Sequence, residues 1–263
     1  MLLVVNIGNS NLRFGIFDSE ECTISWVMNT KPYKSEDELF SQFKIAYQNY
    51  DIPISDITEI AVGSVVPHLT YPVRKSLSRI HNIKTTLVSR NTPSPLTNVS
   101  PQIGTDLYAN AVYAHKKYEG NKIIVDFGTA LTLTCINRKA EIKGVVIAAG
   151  VVTSLNSLIS ETAQLSDVEM RTPKHVLGNT TEECMQSGLI FGFLGMVEGL
   201  IDRINKELGE ETYVIATGGT GHLFAPLTTK INIYDRYHTI KGLMQLYLNQ
   251  KEANERLIDS RLQ

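Results

Sequence analysis

Apolar and polar positions along this chain change period often, and each change marks an element. Apolar or alternating runs at 2–7, 12–17 and 23–29 predict three strands. A helix is expected over 35–49, its start carrying Glu36, Asp37 and Glu38, charges that suit the positive end of a helix. A strand at 58–62 leads through Gly63-Ser64-Val65-Val66-Pro67 into a short helix near 69–80, and a strand at 85–88 follows. Residues 89–104 hold Pro93, Pro95 and Pro101, too much proline for regular structure in a stretch long enough to be functional. A helix from about Asp106 to Tyr118 ends this half. The second half starts again with strands at 122–126, 131–136 and 141–147, a helix from Val152 and a polar loop through Pro173. A long helix opens at Thr180, where Thr180 and Glu183 read as a capping box. A strand at 212–216 runs into Thr217-Gly218-Gly219-Thr220-Gly221, and a last strand and helix finish the chain. Strands before helices, twice, predict two α/β domains of related topology, residues 1–118 and 119–263, with a cleft between them.

The two halves share a phrase. Residues 2–17 and 122–136 each read as an apolar run, a carboxylate or its amide, one residue, a glycine, small hydroxyl or amide residues and a second apolar run. Each is a buried strand, a tight turn that glycine permits, and a returning strand. Two such hairpins facing each other would bring backbone amides and Asp126 to one point, a phosphate and metal site. The plainer alternative is two ordinary hairpins of an α/β protein.

Composition narrows the classes. The chain has 263 residues, 43% hydrophobic and 20% charged, as in ordinary globular proteins. Lys plus Arg is 25 against 27 for Asp plus Glu, so no excess of positive charge is offered to nucleic acid, and no nucleic-acid partner is expected. Cys22, Cys135 and Cys184 are widely spaced and odd in number, which fits reduced thiols in a cytoplasm. The first residues lack the basic leader and the length of a signal peptide. The apolar stretch at 188–197 is stopped by Glu198 short of a bilayer span, so no membrane association is expected.

Within the long helix Gly188, Gly192, Gly195 and Gly199 recur at spacings of four, three and four, on one face. Each destabilises a helix interior by about 0.8–1 kcal/mol relative to alanine. Close approach of a partner subunit or of a nucleotide would explain them, and so would tight packing on the sheet. The same helix carries Phe191, Phe193, Leu194, Met196, Val197, Leu200 and Ile201 over more than one face, so some should be exposed and form an interface.

Three glycine-rich turns follow expected strands: Asn6-Ile7-Gly8-Asn9-Ser10-Asn11, Asp126-Phe127-Gly128-Thr129-Ala130 and Ala216-Thr217-Gly218-Gly219-Thr220. The chain has no GxxxxGK[ST] loop, and the first two turns lead into strands, unlike a dinucleotide fingerprint. The arrangement resembles the superfamily of acetate and sugar kinases, actin and chaperone ATPases, whose fold is two ribonuclease H-like domains. Its closer resemblance is to the type III pantothenate kinases, once labelled Bvg accessory factor-like regulators. The motifs that carry it run in order from Ile7-Gly8-Asn9-Ser10-Asn11 through Ser64-Val65-Val66-Pro67, Gly104-Thr105-Asp106 and Val125-Asp126-Phe127-Gly128-Thr129-Ala130-x-Thr132. Met185-Gln186-Ser187-Gly188, Thr217-Gly218-Gly219 and Thr239-Ile240-Lys241-Gly242-Leu243 complete the series.

The resemblance implies ATP-dependent phosphorylation of pantothenate to 4'-phosphopantothenate, the first step of coenzyme A biosynthesis, by a homodimer using Mg²⁺ and a monovalent cation, K⁺ or NH₄⁺. It implies that Asn6, Ile7, Gly8, Asn9, Ser10, Asn11, Leu12, Arg13, Thr129, Gly218 and Gly219 bind ATP. Asp126 would hold the monovalent cation, and a carboxylate at the end of a buried strand does call for one. Gly104, Thr105, Asp106, Leu107 and Thr181 would contact substrate, with Asp106 as the base that orients its hydroxyl. Read by itself, Asp106 at a helix start is a common stabiliser, and Thr181 is a capping residue beside Thr180.

Six positions depart from the family pattern: Asn6 stands where it has aspartate, Leu107 where it has arginine, Thr97 and Val99-Ser100 where it has tyrosine and Asn-Pro, and Ala149 where it has proline. An amide at position 6 keeps the size but is a poorer ligand for a hard cation. The alternatives are therefore a diverged paralogue that binds nucleotide or a related ligand with weak or no turnover, or a regulator of the older label. Balanced charge and the lack of a basic recognition helix argue against the regulator.

Overall fold

Strands form where apolar runs can be covered. In the computed structural model, which describes residues 1–161 and 168–262, β1 (Leu2–Ile7), β2 (Asn11–Asp18) and β3 (Glu21–Asn29) make an antiparallel meander. Part of the polar loop expected through Pro173 lies outside the described residues. β4 (Glu59–Ser64) and β5 (Thr85–Val88) add in parallel, giving the order β3-β2-β1-β4-β5. Leu3, Val5 and Ile7 of β1 and Leu12, Phe14 and Ile16 of β2 share a core with α1 (Glu36–Asn49) and α2 (Pro67–His81). Phe14 is its centre, stacked on Trp26 at 4.7 Å between centroids and edge-on to Phe43 at 5.3 Å. α3 (Thr105–Lys117) follows the proline-rich segment.

The second unit, residues 114–236, repeats the plan. β6 (Lys122–Phe127), β7 (Ala130–Ile136) and β8 (Ile142–Ala149) are again an antiparallel meander, with β9 (Tyr213–Thr217) and β10 (Ile233–Tyr234) parallel beyond it. Its order, β10-β9-β6-β7-β8, is that of the first sheet with each strand exchanged for its counterpart. The repeated phrase in the sequence is thus a repeated topology. Ile123, Val125, Phe127, Leu131 and Leu133 pack on Val151 and Leu155 of α4 (Val151–Ser160) and on Leu189, Ile190, Phe193 and Val197 of α5 (Thr181–Leu208). α6 (Gly221–Phe224) is a single turn whose Phe224 stacks on Phe127 at 4.7 Å.

Two expectations about α5 change. The apolar stretch that looked short is part of a 28-residue helix, long and apolar enough to cross a membrane by length and composition. Its Ile190, Phe193, Val197 and Ile201 are instead buried in the core of this unit. The glycines do not lie against the sheet either: a Cβ added at Gly188, Gly192, Gly195 or Gly199 would meet nothing within 4 Å. Packing on the sheet therefore does not explain them. Phe191, Leu194, Met196 and Leu200 are only partly buried beside that open face.

The final helix, α7 (His238–Leu262), belongs with the first unit, residues 1–113 and 237–263, and not with the C-terminal half as the sequence suggested. Close backbone approach is the reason. Gly63 of β4 has no side chain where Leu243 sits: a Cβ there would stand 2.3 Å from Leu243 Cδ2. At Gly242 an added Cβ would stand 2.2 Å from the Ala109 carbonyl oxygen of α3. Gly242→Ala must therefore push α7 off α3, and an expected loss of about 1–3 kcal/mol is measurable by urea unfolding. Unchanged stability would show that α7 shifts freely.

Candidate active site

The first hairpin is built for an exposed, fixed bend. Asn6 is the last residue but one of β1, the Gly8 amide donates to the Asn11 carbonyl at 3.0 Å, and Asn9, Ser10 and Asn11 are exposed. Thr30, buried at the end of β3, holds the bend from behind: its amide donates to Ser10 O at 2.9 Å and its hydroxyl to Gly8 O at 2.7 Å. Sequence reading missed Thr30, because only the pairing of β2 with β3 brings it there. Ile7 and Leu12 have buried side chains, so they offer a ligand main-chain groups only. Asn6 and Arg13 are register partners across β1 and β2.

The segment Gly104-Thr105-Asp106-Leu107 lies beside the end of β4. A Cβ at Gly104 would be 3.5 Å from Val65 Cγ1 and 2.5 Å from Asp106 Oδ1, so the carboxylate curls back over the glycine. Val65 N donates to Ile7 O at 3.0 Å, which ties this turn to the hairpin. The Leu107 amide donates to Asp106 Oδ1 at 2.8 Å. Burial pushes the Asp106 carboxyl above the ordinary carboxylate range, and backbone hydrogen bonds from Leu107 and Asp106 oppose this only in part. The helix start is thus not a net stabiliser of this charge, contrary to the plain sequence reading. The proline-rich segment is anchored by Tyr108, whose hydroxyl bonds to Thr92 O at 3.0 Å and Ser94 Oγ at 2.7 Å, and by Asn249 Nδ2 on Pro93 O at 3.0 Å.

In the second unit Asp126 is the last residue but one of β6 and Gly128-Thr129 makes the bend. Gly150 supports it: its amide donates to Thr129 O at 3.0 Å, and an added Cβ would be 2.1 Å from Gly128 O. Thr153 Oγ1 donates to the same Thr129 carbonyl at 2.7 Å, leaving Thr129 exposed at the bend. Gly218, with φ +92°, packs against Phe127 and Asp126, and Tyr234 donates to its carbonyl at 3.0 Å. Gly219, by contrast, faces open space. Thr181 is exposed in the first turn of α5, and the cap is Thr180, whose hydroxyl accepts from the Glu183 amide at 3.2 Å. Thr181 is therefore not the capping residue. Gln186 binds Glu169 O at 2.7 Å and Ser187 binds Val176 O, so this motif holds the loop preceding α5.

Doubly repeated sheets with glycine bends at their strand ends define a class, and solved structures share the fold. A conserved putative Baf family transcriptional activator from Campylobacter jejuni superposes with a TM-score of 0.58 at 15% identity, covering 95% of this chain and 99% of that one. A putative N-acetylmannosamine kinase from Listeria monocytogenes gives 0.52 at 12% identity, covering 95% and 99%. These likenesses place the chain in the actin-like ATPase fold class, with two ribonuclease H-like units, as the sequence predicted. The model of the type III pantothenate kinase family matches residues 2–203. A type III pantothenate kinase of Finegoldia magna is 36% identical over 92% of this chain and 95% of its own length, and one of Citrifermentans bemidjiense is 35% identical over 95% and 100%. This chain belongs to the type III pantothenate kinase family.

Proposed function

We propose that this protein transfers the terminal phosphoryl group of ATP to the hydroxyl of pantothenate, giving 4'-phosphopantothenate for coenzyme A biosynthesis, in the cytoplasm. The observation that carries the reading is the match to type III pantothenate kinases along nearly the whole chain. Asp106 accepts a hydrogen bond from the substrate hydroxyl and orients it; phosphoryl transfer has a loose transition state, so positioning is the larger part of the task. The bend Asn6 to Arg13 offers amides and one guanidinium to phosphate oxygens, with Thr129 doing the same in the second unit. Gly219, open on one side, leaves room for the flat adenosine, and Gly218 sets the turn. Gly104, Thr105, Leu107 and Thr181 line the substrate. Pantothenate is a carboxylate, and a cavity of about 420 Å³ at the start of α5 carries Arg171, Lys174 and His175, which suit an anion.

No group of three or more His, Cys, Asp or Glu capable of holding a metal occurs among the described residues. Mg²⁺ would accordingly be held mainly by the nucleotide phosphates, with the neutral Asn6 as a weak neighbour. Asp126, near the end of β6 and beside the Gly128 and Gly218 bends, would hold one monovalent cation, whose charge would offset that of the phosphates. Turnover with pantothenate, ATP, Mg²⁺ and K⁺, followed with labelled phosphate, tests the reading. A rate no higher than that of Asp106→Asn refutes it.

Asn6 favours a second reading, a paralogue that binds its ligands but turns over slowly. It predicts that Asn6→Asp raises the rate at least about tenfold, on the scale of lost electrostatic catalysis; no gain removes it. We also propose a homodimer. The open glycine face of α5, flanked by partly buried Phe191, Leu194 and Met196, is the surface a second copy would cover. Light scattering at micromolar concentration should give a mass near twice 29.3 kDa, and a folded monomer refutes the dimer.

A further inference from the structure

The residue that follows the third strand of each sheet has the same task in both units. Thr30 follows β3 and Gly150 follows β8, and each donates its amide to a carbonyl of the neighbouring glycine bend: Thr30 N to Ser10 O at 2.9 Å, and Gly150 N to Thr129 O at 3.0 Å. Each bend also receives a threonine hydroxyl. Thr30 Oγ1 donates to Gly8 O at 2.7 Å, and Thr153 Oγ1, in the first turn of α4, donates to Thr129 O at 2.7 Å. Strand topology alone does not place these hydroxyls at equivalent positions. A side chain at position 150 is excluded, because its Cβ would stand 2.1 Å from Gly128 O, and the second unit draws its hydroxyl from α4 instead.

Hydrogen-bond satisfaction does not by itself require them. Thr129 O already accepts from Gly150 N, and Thr129 is exposed to water. What the hydroxyl adds is direction. In a trans peptide the C=O of one residue and the N–H of the next point opposite ways. Gly8 O, held by Thr30, therefore turns the Asn9 N–H away from Thr30, and Thr129 O, held by Gly150 and Thr153, turns the Ala130 N–H away from them. Glycine leaves the first of these peptides free to rotate. A rotated peptide would put a carbonyl oxygen where an anion needs an N–H. A hydroxyl bonded to that carbonyl opposes the rotation.

We infer that Thr30 and Thr153 are positioning residues: each hydroxyl fixes the peptide orientation of one bend, so that N–H groups and not carbonyls meet the phosphates of ATP. The inference rests on the reading of the two bends as ATP sites and names what keeps them in binding form. Each threonine acts through its bend and not on the ligand.

The test is the affinity for ATP with Mg²⁺, and for pantothenate, each taken from the ligand-dependent rise in melting temperature of the whole protein. Thr30→Val, Thr30→Ser, Thr153→Val and Thr153→Ser are compared with the wild type. Each rise is measured from the variant's own unliganded melting temperature, so a change in stability alone does not register. Both valine variants are expected to bind ATP about tenfold or more weakly, on the scale of small misplacements of contact groups, with pantothenate affinity within about twofold of wild type. Both serine variants keep the hydroxyl and should stay within about threefold of wild type for ATP. Thr153 is exposed, so Thr153→Val decides the matter even where Thr30→Val does not fold. Full ATP affinity in a valine variant overturns the clamp in that unit. An equal loss for ATP and pantothenate overturns the positioning role in favour of general loosening. Absence of any ATP response in the wild type overturns the reading of the bends as well.

Discussion

Asp106→Asn is expected to lower kcat by about two to four orders of magnitude, the range for a positioned acid or base, while the protein stays folded and melts higher at neutral pH. The two effects have one origin. Burial raises the Asp106 carboxyl above its ordinary value, so the ionised form that the reaction uses is the form the fold disfavours. With a raised folded value, the native state binds the proton more tightly than the unfolded chain does. Stability from this group is present below the unfolded value of about 3.8 and is lost as pH rises through the folded one. The asparagine variant should match wild type near the acid end of that window and exceed it above. Activity follows the opposite course: the acid limb of kcat/KM should fall at a higher pH than an ordinary carboxylate would give. Steady-state kinetics and thermal melts across pH check both. A variant with undiminished kcat would remove Asp106 from the mechanism, and one that melts lower at pH 7 would show that hydrogen bonding outweighs burial.

Gly218→Ala is expected to be the most damaging small substitution in the second unit. The residue has φ +92°, outside the comfortable range of an L side chain, and its added Cβ would stand 2.5 Å from the Phe127 carbonyl carbon and 2.6 Å from Asp126 Oδ1. Overpacking against backbone typically destabilises by about 1–3 kcal/mol, before any strain in φ. In a protein of this size each kcal/mol lowers the melting temperature by about 2–4 °C. Relief would come by moving the end of β6, so KM for ATP should rise by about tenfold, in keeping with small misplacements at a reacting centre. Gly219→Ala is the control, since its Cβ would meet nothing within 4 Å. It should change stability by no more than about 0.5 kcal/mol, so any loss of ATP affinity there reports ligand contact. Equal melting of the Gly218 and Gly219 variants would refute the account of the turn.

Much of the scaffold was legible along the chain. The runs around Leu3 and Ile123, the bends at Gly8 and Gly128, and the cap formed by Thr180 and Glu183 are set by neighbours within a few residues, and the observed elements follow them closely. Asp106 was legible as a helix-start carboxylate, though its raised pKa was not, because burial comes from groups distant in sequence. Thr30 carried no signal at all, since its two bonds to the first bend need the β2–β3 register.

The sequence by itself determined the strands, the turns and the repetition, because hydrophobic period and glycine act over one or two turns of chain. Only the tertiary structure decided that α7 joins the first unit, that the α5 glycines face open space and that Thr132 and Thr217 flank Asp126. Those outcomes depend on which strands pair, in which register, and how near two backbones come. A period cannot encode them: it tells which face of an element is apolar, and long-range packing chooses what that face meets.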